Sequence, residues 1–164
     1  MIEELNESII IRDIKENDID YIYEIEVLSF NEAYSKSLLY HFIKNLFCLS
    51  ILIEYNKVIV GYALGLLKFG KIGHIVSIAI HPSYRKLGFG TILLKKLIEL
   101  FEKNNKTIIQ LEVRIDNYEA IKLYQKFNFK IIGIKENYYM DGKDAYFMEL
   151  NLDNNQFSKN SFNF

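Results

Sequence analysis

Apolar and polar residues alternate in blocks along the chain, and the period of the blocks switches between that of a strand and that of a helix. SIIIRDI, residues 8–14, reads as a strand. The next block, residues 18–30, carries apolar residues at helical spacing, and Asp18 can cap it. After the loop NEAY, residues 35–47 repeat the helical spacing. We therefore predict one strand followed by two helices.

The middle of the chain predicts an antiparallel hairpin. The apolar runs LSILIEY and VIVGYALGLL flank Asn56 and Lys57, a pair of residues that suits a two-residue turn. HIVSIAI, residues 74–80, then predicts a further strand. That strand leads into a short loop with two glycines.

The second half alternates strands and helices again. ILLKKLIELFEK has the clearest helical pattern of the chain, TIIQLEV follows as a strand, and YEAIKLYQKF is a helix closed by Asn128. FKIIGIK and DAYFMEL form a last pair of strands. Alternation of this kind favours an α/β (α+β) fold.

Composition narrows the class of protein. The chain has 164 residues, half of them apolar, and a net charge of −1. We expect one domain over residues 1–152 and a polar tail over 153–164. Basic residues are scattered, so we expect no nucleic-acid partner. The longest apolar run near the middle is far short of the ~20 residues that span a bilayer, and the acidic start lacks a signal core, so we expect no membrane partner and a cytoplasmic location.

The glycine loop carries the first chemical signal. Gly88 and Gly90 stand between a predicted strand and a predicted helix, just after Arg85 and Lys86. Backbone N–H groups at a helix start, together with the helix dipole, form a site for phosphate. The loop lacks the third glycine of the dinucleotide motif and the GK[ST] of the Walker motif. A tight surface turn is the alternative.

A resemblance to a known family joins these segments. Arg85–Gly90 read R-x-x-G-x-G, which resembles the acetyl-CoA signature of the GNAT superfamily of N-acetyltransferases. The likeness extends to NEAY, to residues 111–129 and to ENYYMDGKDAYFMEL, and it covers roughly residues 8 to 152. Within the superfamily it is nearest to the N-terminal (Nα) acetyltransferase branch, which holds the archaeal-type NatA catalytic enzymes and the ribosomal-protein-alanine acetyltransferases. The resemblance implies a single mixed sheet of about seven strands with about four helices, splayed between the strands that end near 80 and 113.

The resemblance also implies a cofactor site for acetyl-CoA as cosubstrate. The loop amides would hold the pyrophosphate, and one strand would pair its backbone with the pantetheine arm. Asn117 would complete this site, although it could instead be a helix cap. The residues assigned to the cofactor are Ile78, Ala79, Ile80, Arg85, Lys86, Leu87, Gly88, Phe89, Gly90, Thr91, Asn117, Tyr124, Gln125 and Lys126.

Three residues are candidates for catalysis. An α-amine is largely protonated at neutral pH, so a group must accept a proton before the nitrogen attacks the thioester. The resemblance places Glu112 and His74 in that role, where they hold a water that relays the proton. Tyr124 would assist the leaving thiolate. Alternatively, Glu112 is a solvated acid on a strand, His74 a histidine in a turn and Tyr124 a tyrosine of the core. His74 and Glu112 alone would make a weak metal site, so we assign no metal.

The remaining assignments concern the acceptor. Glu32 and Tyr34 in NEAY, with Tyr138 and Tyr139 in NYYMD, resemble the loops that grip the first residues of a peptide. The expected partners are protein or peptide N-termini, including nascent or ribosomal proteins, and an auxiliary subunit is left open. Two other functions stay open: acetylation of lysine or small amines, and a non-catalytic acetyl-CoA-binding module. Cys48, alone in an apolar run, is expected to be a buried structural thiol.

Overall fold

The computed structural model describes residues 8–153, where the chain forms seven strands and four α-helices. The strands are β1 (Ile9–Asp13), β2 (Cys48–Tyr55), β3 (Val58–Leu67), β4 (Ile72–Ile80), β5 (Ile108–Arg114), β6 (Lys130–Lys135) and β7 (Ala145–Asn151). The helices are α1 (Ile19–Ser29), α2 (Lys36–Lys44), α3 (Phe89–Lys103) and α4 (Tyr118–Lys126). Short 3₁₀ turns occupy Glu16–Asp18 and Pro82–Tyr84. The predicted tail, apart from its first residue, lies outside the described residues.

All seven strands belong to one mixed sheet, in the order β1-β2-β3-β4-β5-β7-β6. The pairs β1–β2, β5–β7 and β6–β7 are antiparallel, whereas β4 and β5 are parallel. The parallel register joins Ile72–His74 to Ile108–Gln110, although β4 runs on to Ile80 and β5 to Arg114. This open, mixed sheet with its helices confirms the predicted fold class.

Two compact units share the chain. Unit 1 holds the residues up to Gly65 together with Val76–Leu97, and unit 2 holds Leu66–Ile75 together with the residues from Ile98 onward. The core of unit 1 is an apolar cluster whose fully buried members include Ile22, Leu39, Leu52, Tyr62 and Leu64. In unit 2 the fully buried side chains include Phe101, Ile109 and Met148. The expectation of one domain over residues 1–152 stays a prediction.

The observed helices and strands differ from the predicted ones mainly at their ends. α3 begins at Phe89, three residues before the predicted apolar run, because the Gly88 carbonyl accepts the Ile92 N–H at 3.2 Å. The glycine loop therefore contributes the first turn of the helix. The hairpin turn is confirmed, with Asn56 and Lys57 both at positive φ, 50° and 67°.

No helix among residues 8–153 is both long enough and apolar enough to cross a membrane.

Candidate active site

His74 and Glu112 are in direct contact on the parallel strands of unit 2. The Nε2 atom of His74 lies 2.6 Å from the Oε2 atom of Glu112. The side chains are only 17% and 9% exposed. The structure thus brings two of the predicted catalytic residues together, with the imidazole bonded to the carboxylate itself.

Lys135, at the end of β6, holds the second oxygen of the same carboxylate. Its ammonium donates to Oε1 of Glu112 and lies 4.8 Å from the ring centre of Phe147. Burial alone would raise the pKa of the Glu112 carboxyl, but the hydrogen bonds and charges of His74 and Lys135 outweigh it and lower the pKa to about 2. Glu112 is therefore ionised at neutral pH and is a weak base in this state.

The NYYMD loop lies beside this carboxylate. The Tyr138 ring is 5.5 Å from the Lys135 ammonium. Partial burial raises the pKa of Tyr138, and the charge of Glu112 adds to the rise. The rings of Tyr138 and Tyr139 meet edge to face at 5.1 Å. The predicted substrate residue Tyr138 thus shares its surroundings with Glu112.

Arg114 holds the NYYMD loop against the end of β5. Its guanidinium donates to both carboxylate oxygens of Asp141, at 3.2 and 2.7 Å, and to Asp116 at 3.2 Å. It also stacks 4.7 Å from the ring centre of Tyr139. A bidentate contact of this kind fixes orientation as well as distance.

Tyr124 is buried on α4, where its ring packs edge-on against Phe129 at 5.6 Å. Burial raises the pKa of its hydroxyl, with a smaller contribution from Tyr139. The hydroxyl therefore stays protonated at neutral pH and can donate a hydrogen bond. The core position that the sequence offered as an alternative is the one observed, while its role toward a thiolate stays a prediction.

The glycine loop has the backbone that a phosphate site requires. Lys86 and Gly88 have positive φ angles of 64° and 88°. An ideal Cβ placed on Gly88 would have no heavy atom within 4 Å. The N–H groups of Phe89, Gly90 and Thr91 open α3, where helix geometry leaves them without intrahelical acceptors. The loop fits an anionic group, and this fit supports the assignment of a pyrophosphate.

Arg85 fastens the loop from within unit 1. Its Nε donates to the Ile80 carbonyl and its Nη2 donates to the Ser29 hydroxyl, both at 3.1 Å. These bonds join the loop to the end of β4 and to the last residue of α1. Arg85 therefore has an observed role in shaping the loop, beside its predicted contact with the cofactor.

The end of β4 is a close-packed strand. A Cβ on Gly61 of β3 would come within 2.4 Å of the Ile80 side chain and 2.8 Å of the Ala79 carbonyl. Glycine at this position lets the backbone of β3 approach β4 closely. Ile78, Ala79 and Ile80 thus lie on a firmly held strand, and their pairing with pantetheine stays a prediction.

The remaining cofactor residues lie on α4. The Oδ1 atom of Asn117 accepts the N–H of Ala120 at 3.2 Å, so Asn117 caps this helix as the alternative reading held. Gln125 and Lys126 are exposed on its last turn. Their contacts with the cofactor stay predictions.

The NEAY loop of unit 1 is anchored by a residue that the sequence analysis missed. Glu26 of α1, only 1% exposed, accepts the Tyr34 backbone N–H at 2.8 Å and the hydroxyl of Tyr62. The Tyr62 hydroxyl lies 3.0 Å from that of Ser77 on β4. Burial raises the pKa of the Glu26 carboxyl. Glu32 in the loop is exposed.

Two sequence signals could have revealed the missed residues. Glu26 shares the buried helical face of Ile22 and Ile25, a position where an acid is unusual. Lys135 and Arg114 are charged residues that directly follow apolar residues at the ends of β6 and β5. Charged residues at apolar positions mark buried or paired groups.

Cys48 and metal binding can be assessed from the same geometry. Burial raises the pKa of the Cys48 thiol to about 11, so the group stays protonated, as expected of a structural thiol.

Among residues 8–153, no group of three or more His, Cys, Asp or Glu side chains could hold a metal ion.

Comparisons with known proteins agree with this geometry. The model of the acetyltransferase (GNAT) family matches residues 19–129. An N-alpha-acetyltransferase of Sulfurisphaera tokodaii is 35% identical over 150 residues, which cover 84% of this chain and 90% of that protein. The ribosomal-protein-S18-alanine N-acetyltransferase of Escherichia coli has a TM-score of 0.82 at 26% identity and covers 96% of this chain and 100% of that chain. Ard1 of Thermoplasma volcanium has a TM-score of 0.82 at 28% identity, with 88% and 97% covered.

The family match extends over more than half of the chain, and the relative from Sulfurisphaera tokodaii is similar over most of its length. The chain therefore belongs to the GNAT acetyltransferase family.

Proposed function

We propose that this protein is an N-terminal acetyltransferase, which moves the acetyl group of acetyl-CoA directly to the α-amine of a protein or peptide. The observation that carries the proposal is the 2.6 Å contact between His74 and Glu112 beside the tyrosine loop. Support comes from relatives named N-alpha-acetyltransferase that are 33–35% identical to this chain.

Acetyl-CoA is the cosubstrate. The N–H groups that open α3 bind its pyrophosphate, where the helix dipole also favours negative charge. Gly88 leaves the approach to these groups open. The backbone of Ile78–Ile80 binds the pantetheine arm, so that strand positions the thioester.

His74 accepts the proton that the α-amine must lose before its nitrogen attacks the thioester carbonyl. Glu112, with a pKa of about 2, is a poor acceptor for this proton. Glu112 instead orients the imidazole and balances the positive charge that His74 gains. The charge of Lys135 beside this site disfavours a second ammonium and so favours the neutral amine.

Tyr124 assists the other end of the reaction. As the C–S bond breaks, the sulfur gains negative charge, and the Tyr124 hydroxyl donates a hydrogen bond to it. The pKa of a tyrosine already lies above that of a thiol, and burial raises the pKa of Tyr124 further, so its part is to stabilise the thiolate rather than to protonate it completely.

The acceptor peptide is bound by the tyrosine loop NYYMD and by NEAY. The Arg114 guanidinium stacks on the Tyr139 ring, and the Lys135 ammonium lies over the Tyr138 ring. A cytoplasmic location, nascent or ribosomal substrates and an auxiliary subunit also belong to the proposal.

A peptide panel tests the function. Purified protein is given acetyl-CoA and peptides that start with Ser, Ala, Thr, Gly or Met, each also in an Nα-blocked form with an internal lysine. We expect acetylation of the free α-amines only. Acetylation confined to internal lysines would contradict the proposal, and acetyl-CoA binding without turnover on any peptide would favour a non-catalytic module.

Gly88→Ala tests the cofactor loop, with Gly70→Ala as its matched control. Both glycines have positive φ, 88° and 66°, and neither would place a Cβ within 4 Å of another atom. Each substitution therefore carries a similar conformational cost of about 1–2 kcal/mol. We expect only Gly88→Ala to weaken acetyl-CoA binding, by about tenfold or more in calorimetry. Equal affinities in the two variants would argue against this loop.

A further inference from the structure

A buried carboxylate on α1 holds the NEAY loop by its backbone. Glu26 is 1% exposed, and its Oε1 atom accepts the Tyr34 N–H at 2.8 Å. Tyr34 is the last residue of NEAY, and Ser35 directly after it caps α2 through the N–H of Leu38. A buried side chain therefore holds the backbone of the turn between α1 and α2 at Tyr34.

The second oxygen of the same carboxylate is fixed by β3 and β4. Tyr62, which is fully buried, donates its hydroxyl to Oε2 of Glu26. That hydroxyl also lies 3.0 Å from the Ser77 hydroxyl, and Ser77 directly precedes Ile78. A continuous chain of hydrogen bonds thus joins the backbone of the NEAY loop to the strand assigned to pantetheine.

An acid is an unusual residue at a buried position such as this one. Burial raises the pKa of Glu26, which means that the ionised carboxylate is disfavoured where it stands. The rest of this face of α1 is apolar, as in Ile22 and Ile25. An apolar side chain would suit the core but could not accept the Tyr34 N–H. The carboxylate is therefore needed at this position as the acceptor that holds the loop.

We propose that Glu26 is a positioning residue for the acceptor peptide: with Tyr62 it fixes the NEAY loop in register with the strand that presents the thioester. The inference rests on the proposed function, because it takes this loop to bind the acceptor. Glu26 itself touches no substrate. Its effect is carried by the backbone of Tyr34 and appears in the binding of the peptide.

Two substitutions of Glu26 distinguish the effect of its hydrogen bonds from the effect of its side-chain volume. Glu26→Gln keeps an oxygen for the Tyr34 N–H, and its amide can donate to the Tyr62 hydroxyl, which then donates to Ser77. Glu26→Leu keeps a similar volume and removes the acceptor. Glu24→Leu, on the exposed face of the same helix, is the matched control.

The measurements are hydrogen exchange of the Tyr34 amide, calorimetry with acetyl-CoA, and steady-state kinetics on a peptide. For Glu26→Leu we expect faster Tyr34 exchange and a peptide KM raised about tenfold, the factor that one charge-assisted hydrogen bond supplies. The kcat and the acetyl-CoA affinity should change by less than about twofold, and Glu26→Gln should keep a peptide KM within about twofold of the original.

Other outcomes would overturn the inference. A folded Glu26→Leu variant with unchanged Tyr34 exchange and unchanged peptide KM would do so, as would equal rises in KM for Glu26→Gln and Glu26→Leu. If Glu26→Leu does not fold, Tyr62→Phe replaces it, with an expected rise of about threefold in peptide KM and faster Tyr34 exchange; no change in either overturns the proposal. Hydrogen exchange of the Tyr34 amide is measured without any peptide substrate. A failure of the proposed function in the peptide panel is therefore distinguishable from a failure of the role proposed for Glu26.

Discussion

Glu26 in unit 1 and Glu112 in unit 2 are both largely buried carboxylates, yet their surroundings shift their pKa values in opposite directions. Glu26 is bonded by an amide and a phenol, both neutral, and burial raises its pKa. Glu112 is bonded by His74 and Lys135, and its pKa falls to about 2 despite the burial. Burial alone does not determine what an acid does; the charge of its donors does.

This difference agrees with the roles that we propose, a structural one for Glu26 and a chemical one for Glu112. Neutral donors hold Glu26 in place and tie it to a loop, whereas cationic donors keep Glu112 ionised next to a histidine. The substitutions below test that division, from the largest expected effect to the smallest.

Glu112→Gln should lower kcat by about 100-fold to 10,000-fold, since the imidazole loses the charge that stabilises its protonated form. Steady-state kinetics on the best peptide measures this. Glu149→Gln is a control on the neighbouring strand β7, where the carboxylate bonds to the Gln110 side chain at 2.9 Å. Acetyl-CoA affinity should stay unchanged in both variants. A similar kcat for the two variants would remove Glu112 from the chemistry.

Glu26→Leu should lower the free energy of unfolding by about 2–4 kcal/mol, because it leaves the Tyr34 N–H and the Tyr62 hydroxyl buried without their acceptor. Urea denaturation at neutral pH measures the change. The exposed Glu24→Leu should stay within about 0.5 kcal/mol of the original protein. If Glu26→Leu were as stable as the control, the buried network would have no energetic role.

The pH dependence of stability should have opposite signs for the two acids. The lowered pKa of Glu112 gives stability above pH 4.5 that is lost as pH falls toward 2, on the order of 2 kcal/mol once solvent screening of the half-exposed Lys135 is counted. The raised pKa of Glu26 has the opposite effect on the free energy of unfolding. The stability that it gives is present below the ordinary pKa of a glutamate and is lost as pH rises through the pKa of Glu26 in the folded protein.

Urea denaturation across acid to neutral pH, on Glu112→Gln and Glu26→Gln beside the original protein, checks both signs. The deficit of Glu112→Gln should shrink as pH falls from 4.5 toward 2. The free energy of unfolding of Glu26→Gln should rise relative to that of the original protein as pH rises above 4.5. Parallel curves for the two variants would mean that the surroundings of the acids do not differ as described.

Lys135→Met should have the smallest effect, about 1 kcal/mol of stability at neutral pH, because its side chain is 44% exposed and water screens the pair. The pKa of Glu112 should move back toward its ordinary value, which NMR titration of the carboxyl group would detect. His74 still donates to Glu112 in this variant. An unmoved Glu112 pKa would assign the whole shift to His74.

Much of the secondary structure could be predicted from the sequence because most strands and helices follow a local pattern of apolar residues. β2 and β3 follow apolar runs around a recognisable turn, and α3 follows a strong helical period with the glycine loop ahead of it. The ends were less certain, since the first turn of α3 depends on the Gly88 carbonyl rather than on apolar spacing.

The candidate site was only partly predictable. His74 and Glu112 came from a family resemblance, and the structure places them together. Lys135 comes from β6, which pairs with β7 rather than with β5, so its side chain reaches Glu112 across β7. Glu26 accepts a hydrogen bond from Tyr62, which is 36 residues away in sequence. Partners so far apart in the chain leave no local pattern, apart from a charge at an apolar position.

The register of β6 has a consequence for solubility. This strand is last in the sheet order, so a strand of another molecule could pair with the backbone of its outer edge, and its Ile131, Ile132 and Ile134 side chains are exposed. A bulge between Ile131 and Gly133 interrupts its pairing with β7 and distorts the outer edge, and a lysine closes each end of the strand. Both features disfavour edge-to-edge aggregation, and Lys135, the partner of the Glu112 carboxylate, is one of the two charges at the ends of this edge strand.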